Sequence, residues 1–134
     1  MEKPKKTPKI SEAEWEIMKV LWSDSPKTAN QVVDSLKGKT KWNPRTIRTL
    51  IGRLVRKKAL GFTHDQKDKR MYHYYPLVSE REMARAETKS MLKRIYGGAL
   101  NVMVANFLEE ERLSREEINE LRAILDKKKN ELDN

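Results

Sequence analysis

Two histidines, an aspartate and a cluster of arginines are the side chains of this 134-residue chain whose spacing invites chemistry. His64 and His73 fall on the two arms of a predicted hairpin, where they are expected to face each other, and Asp65 adjoins the first. That set is too small for a metal centre, because zinc sites take three or four protein ligands and the chain holds no cysteine to complete one. The reading is therefore of surface histidines, with no metal site and no cofactor. Nor does the sequence offer a nucleophile with its base, a glycine-rich phosphate loop or paired acids on one helix face, so no enzyme is expected.

The arginines point elsewhere. Trp42 to Lys58 reads WNPRTIRTLIGRLVRKK, with Arg45, Arg48, Arg53, Arg56, Lys57 and Lys58 and no acid. Solvated helix faces usually mix signs, so a face of one sign points to a polyanion. Composition agrees: 29 Lys and Arg against 20 Asp and Glu give a net charge of +9 and a pI near 9.8. Residues 1–78 carry a net +10 and residues 79–134 a net −1, which places the polyanion on the first part. Nucleic acid ranks ahead of a membrane surface as the partner of such a chain.

Several elements must position that charge. Ser11 opens a helix through the capping box SEAE, with Trp15, Met18, Leu21 and Trp22 at helical spacing behind it. Thr28 opens a second through TANQ, with Val32, Val33 and Leu36 as its stripe and Gly38 as a C-terminal cap. Asn43 and Pro44 open the arginine helix, and Gly61 is expected to stop it. On its wheel Ile47, Leu50, Ile51, Leu54 and Val55 share one arc, while Arg45, Thr46, Arg48, Thr49, Gly52, Arg53 and Arg56 fill the other. GFTHDQKDKRMYHYYP then predicts a hairpin, with strands over 62–64 and 71–75. Ser79 caps a fourth helix that ends before Gly97 and Gly98; LNVMVANFL is the most apolar run, and SREE caps a last helix.

Three short helices and a basic hairpin form a winged helix-turn-helix. The expected fold is mostly α with a small β-hairpin wing: a DNA-binding domain over 1–78 and a helical dimerisation domain over 79–134. Helix-turn-helix readers insert the N-terminal end of the recognition helix into the major groove, which assigns base edges to Arg45, Thr46, Arg48 and Thr49. Arg53 and Arg56, with Lys67, Lys69 and Arg70 at the hairpin tip, are assigned to the phosphate backbone. The basic N-terminal extension, with Lys3, Lys5, Lys6 and Lys9, adds salt-sensitive attraction or serves as a solubilising tail. In the second half Met83, Ala86, Met91, Ile95, Leu100, Val102, Val104, Phe107, Leu108, Ile118, Leu121, Ile124 and Leu125 exceed what a small helical unit hides, which predicts a homodimer. Dimerisation suits a palindrome of double-stranded DNA.

The absence of cysteine fits a reducing cytosol, no signal peptide is evident, and no apolar run approaches the ~20 residues of a spanning helix, so a cytoplasmic protein is expected. Two other functions compete: non-specific nucleic-acid packaging, which predicts equal binding to any sequence, and a membrane-surface adaptor, which needs the apolar arc of the third helix exposed.

The chain resembles the penicillinase-repressor family over nearly its whole length. The motifs that carry the likeness are ISEAEWEIMKVLW, WNPRTIRTLIGRLVRKKAL, YHYYPLVSE, YGGALNVMVANFLEEERLS and EEINELRAILDKK. The resemblance implies a dimeric winged-helix repressor on palindromic operators with TACA/TGTA half-sites, silencing β-lactamase or penicillin-binding-protein genes. It also implies inactivation by a membrane-bound β-lactam sensor with a metalloprotease domain, which cuts between an Asn and a Phe; here that pair matches Asn106 and Phe107. The dimer interface expected from the apolar faces of the second half takes in Met91, Ile95, Leu100, Val104, Phe107, Leu108, Ile118, Leu121 and Leu125. A copper-responsive branch of relatives carries Cys-x-Cys pairs, which this chain lacks. Other relatives act on other genes without a sensor.

Overall fold

A computed structural model describes residues 7–134, as six helices and one hairpin: α1 (Glu12–Ser23), α2 (Ala29–Leu36), α3 (Pro44–Arg56), β1 (Leu60–His64), β2 (Tyr72–Pro76), α4 (Glu80–Tyr96), α5 (Leu100–Leu108) and α6 (Arg115–Asp133). Lys3, Lys5 and Lys6 lie outside the described residues.

The helix starts follow their caps. Ser11, Thr28 and Ser114 each close a capping box, and Asn43 accepts from the Thr46 amide with Pro44 in the first turn. Every one of these satisfies amides that the first helical turn leaves without an intrahelical partner. α3 ends differently from expectation. Lys58 takes a left-handed conformation, φ 64°, and the Ala59 amide returns to the Leu54 carbonyl at 2.9 Å. Gly61 is instead a strand residue paired with Tyr75. A Cβ there would meet the Tyr75 ring at 2.9 Å, so the glycine makes room for the wing's own packing rather than stopping a helix.

The chain forms two compact units, Met1–Ser90 and Met91–Asn134. In the first, α1, α2 and α3 pack on one another and on the hairpin. Ile17, Met18, Leu21, Val32, Leu36, Ile47, Ile51, Leu54 and Leu60 form the core, each at most 3 % exposed. Val78 and Met83 belong to it as well. Met83, expected among side chains seeking a partner, is therefore already covered by its own unit, and the first turns of α4 are tied to the winged core. Trp22 anchors the same region, its indole N–H donating to the Val78 carbonyl at 2.9 Å, and Trp15 meets Trp22 edge to face at 5.4 Å.

Among the described residues of this unit, one ionised group is buried. Glu14 is 2 % exposed and accepts from the Lys57 ammonium at 2.7 Å, which joins α1 to the end of α3. Burial pushes the Glu14 carboxyl up, but the hydrogen bonds from Lys57 and Ser11 outweigh it and hold the carboxyl below its ordinary value. A carboxyl lowered on folding stabilises above its unfolded pKa, and that contribution disappears as pH falls through the folded one. Glu14→Gln is therefore expected to cost about 1.5–3 kcal/mol at pH 7 and progressively less as the medium is acidified below about pH 4. Urea denaturation of both forms across that range reads the difference; a cost independent of pH would show that the ion pair is not its source.

The second unit is built on the end of α4, α5 and α6. Gly97 and Gly98, at φ 58° and 89°, turn the chain between α4 and α5 through conformations that side chains resist. No residue of α5 or α6 is buried.

Candidate nucleic-acid interface

α3 is sorted by side. Ile47, Leu50, Ile51 and Leu54 are buried on the side of α3 that packs on α1, α2 and β1, which fixes the opposite face outward. That face presents Arg45, Thr46, Arg48, Thr49, Arg53 and Arg56, all exposed. The rotation that the wheel predicts is the one observed, and burying the apolar arc selects it, since each fully buried Leu or Ile contributes about 1.5–3 kcal/mol. A membrane-surface role for this helix requires that arc to be free, and it is not.

The individual groups differ in what they have left to offer. The Thr49 hydroxyl donates to the Arg45 carbonyl one turn back at 3.0 Å, so its proton is engaged within the helix. Arg48 donates through Nη2 to the Asn30 side-chain oxygen at the start of α2. Arg53 and Arg56 sit in the last turn, where cations also favour the helix dipole. At Gly52 a Cβ would meet nothing within 4 Å, so the glycine is not required by the protein's own packing.

The wing is fixed by Asp65. Its carboxylate accepts from the amides of Lys67 and Asp68 at 2.9 and 3.0 Å and from His73 Nε2 at 2.8 Å. The His73 bond, then the two amides, hold the Asp65 carboxyl below its ordinary value. The two histidines do not face each other as expected: His64 is opposite Tyr72 and His73 opposite Thr63, so they lie on opposite faces of the hairpin. Alternation along a strand separates residues one register apart. Among the described residues no cluster of metal-ligating side chains is present. Arg70 is drawn to Asp68, its Nε 3.2 Å from the carboxylate, while the Lys67 and Lys69 side chains are exposed at the tip.

The other face of the wing carries Phe62, His64, Tyr72 and Tyr74, with Phe62 and Tyr72 rings 4.8 Å apart and His64 at the same distance from Tyr72. Tyr72, Tyr74, Met71 and Arg70 line one wall of a cleft of about 520 Å³ whose other wall is Thr28, Asn30, Arg48 and Ile51. Sequence reasoning missed Asn30 and the aromatic wall. The capping box TANQ already places Asn30 in the first turn of α2, but only the packing angle of α2 on α3 brings it to Arg48.

In the second unit Asn106 and Phe107 lie in α5, both exposed. The Asn106 amide donates to the Tyr96 hydroxyl at 3.0 Å, and α5 begins at Ala99 without a side-chain cap. Met91, Ile95, Leu100, Val104, Phe107, Ile118, Leu121 and Leu125 range from 36 % to 70 % exposed, and Leu108 is half-buried. Many of them line an apolar groove of about 760 Å³ running from Met91 through α5 to Leu125. No helix among the described residues is long and apolar enough to cross a membrane.

Three packed helices, a two-stranded wing and a recognition helix turned cation-outward define a winged-helix DNA-binding protein. The chain belongs to the penicillinase repressor family, whose pattern matches residues 10–127. It is 42% identical over 123 residues to the methicillin resistance regulatory protein MecI of Staphylococcus aureus, covering 92% of this chain and 98% of that one. It is 44% identical over 126 residues to the penicillinase repressor of Bacillus licheniformis, covering 94% and 96%. The winged unit is also similar to the solution structure of the Bacillus licheniformis repressor BlaI, monomeric and in complex with the blaP half-operator. The TM-score is 0.50 at 36% identity, over 57% of this chain and 90% of that one.

Proposed function

We propose that the protein is a cytoplasmic, dimeric repressor of β-lactam-resistance genes that binds a palindromic operator and is inactivated by a cut between Asn106 and Phe107. The observation that carries the DNA-reading part is the outer face of α3, which presents Arg45, Thr46, Arg48 and Thr49 at its N-terminal end and no acid anywhere along it. Arg48 is the principal reader, since guanidinium offers paired donors to guanine. Thr49, its hydroxyl proton engaged, offers its methyl group to a thymine. Arg53, Arg56, Lys67, Lys69 and Arg70 hold phosphates on either side.

Dimerisation is supported by the apolar groove and by α5 and α6, none of whose residues is fully buried. A second copy supplies the missing cover. The proteolytic step is supported by α5 itself. A protease needs extended backbone, and α5 is nine residues long with no side-chain cap, so opening it costs little compared with the winged core. A membrane-bound sensor metalloprotease is the proposed agent, and no catalysis is assigned to this chain.

The test is a selection of binding sites from random duplex DNA. An inverted repeat with half-site centres about one helical turn apart is expected. Arg48→Ala should lower affinity by about 1–3 kcal/mol and relax the preference at one base pair of each half-site. A pool that enriches no sequence would sink the repressor reading.

A further inference from the structure

Asn30, on a different helix from Arg48, is a hydrogen-bond partner of that arginine. Its side-chain oxygen accepts from Arg48 Nη2, and both groups line the cleft between the helices and the wing. Arginine carries five N–H donors in one plane, so one of them can be committed while an edge of the fork remains free for a base. A long exposed side chain otherwise samples many rotamers, and ordering it on binding reduces affinity and tolerates mismatched geometry.

The platform under Asn30 is tied at several points. It is the second residue of α2, whose first turn is closed by the reciprocal Thr28 and Gln31 bonds at 3.2 and 2.8 Å. Immediately before it, Lys27 pairs with Tyr74 of β2 through both backbone bonds, at 3.1 and 2.8 Å. The start of α2 is thereby fixed to the wing as well as packed on α3. We infer that Asn30 is a specificity-determining residue that acts through Arg48, pre-setting the guanidinium for one base pair of the half-site. This rests on the reading of Arg48 as a base contact.

The inference is tested by binding-site selection and competitive titration with wild type, Asn30→Ala, Arg48→Ala and the double variant. Asn30→Ala is expected to lower discrimination at the same base pair that Arg48→Ala relaxes, by about 2- to 12-fold, the worth of one net hydrogen bond. Affinity for scrambled DNA should stay the same, and the double variant should discriminate no less than Arg48→Ala alone. Asn30→Asp keeps the acceptor and should keep the base preference, although its charge weakens binding to every sequence. An equal loss on all sequences for Asn30→Ala would make Asn30 a phosphate contact, and unchanged discrimination would remove it from recognition; either overturns the proposal. A uniform loss for Arg48→Ala would instead overturn the reading beneath it. Melting of the winged unit, followed by circular dichroism, identifies any variant that simply fails to fold.

Discussion

Truncation after Asn106 is expected to yield a protein that sediments as a monomer and binds its operator about 10²- to 10⁴-fold more weakly than the full chain. The cut removes Phe107, Leu108 and the whole of α6, and with them Ile118, Leu121 and Leu125. Phe107, Leu108, Leu121 and Leu125 line the apolar groove, so the proposed second copy would lose much of the wall it is expected to cover. Two half-sites bound through one complex act at high effective concentration; separated, each winged unit binds alone. The winged core lies wholly before the cut, from Ile17 to Met83, so the fragment should keep its fold and its base preference. A fragment that remains dimeric in sedimentation would rule out release by loss of dimerisation.

The second large effect is on stability. Leu54→Ala should destabilise the winged unit by about 2–5 kcal/mol, a large share of the 5–15 kcal/mol typical of a whole domain. Leu54 is 0 % exposed and sits on the inward arc of α3. Its carbonyl also accepts from the Ala59 amide as the chain leaves the helix. Removing its side chain leaves a cavity between α3 and the rest of the core, and the capped helices around it have little room to collapse. Urea denaturation followed by circular dichroism measures the change. Because no outward residue is altered, the folded fraction should keep the wild-type sequence preference. A loss below about 1 kcal/mol would mean that the site repacks or that α3 is held chiefly by other contacts.

Much of this was legible because local and tertiary preferences agree. The capping boxes at Ser11, Thr28 and Ser114 and the Asn43–Pro44 start mark helix beginnings in the sequence itself. The split of α3 into Ile47, Leu50, Ile51 and Leu54 against Arg45, Arg48, Arg53 and Arg56 fixes which side faces out. What was not legible depends on contacts between distant segments. Gly61 looked like a helix stop because glycine often is one, yet Lys58 accepts the left-handed conformation, and the glycine answers to Tyr75 across the hairpin. Met83 reads as a dimer residue until Val78 and the Trp22 indole place the start of α4 on the winged core. The two histidines depended on strand register, which a shift of one residue inverts. Asn30 and the Glu14–Lys57 pair join residues 18 and 43 positions apart, a separation that no periodicity encodes.

Sequence-specific recognition by the winged unit is the centre of the proposed function, and its sharpest test is competition at physiological salt. A labelled palindromic duplex with TACA and TGTA half-sites is bound by the full-length protein and displaced by the same duplex or by a scrambled one of equal length and composition. Preference for the palindrome by about 10³-fold or more is expected, because base contacts from two copies of α3 add to a phosphate term common to both duplexes. Displacement by both at the same concentration would mean that the charge of α3 grips phosphates without reading bases, and the protein would then be a non-specific DNA binder.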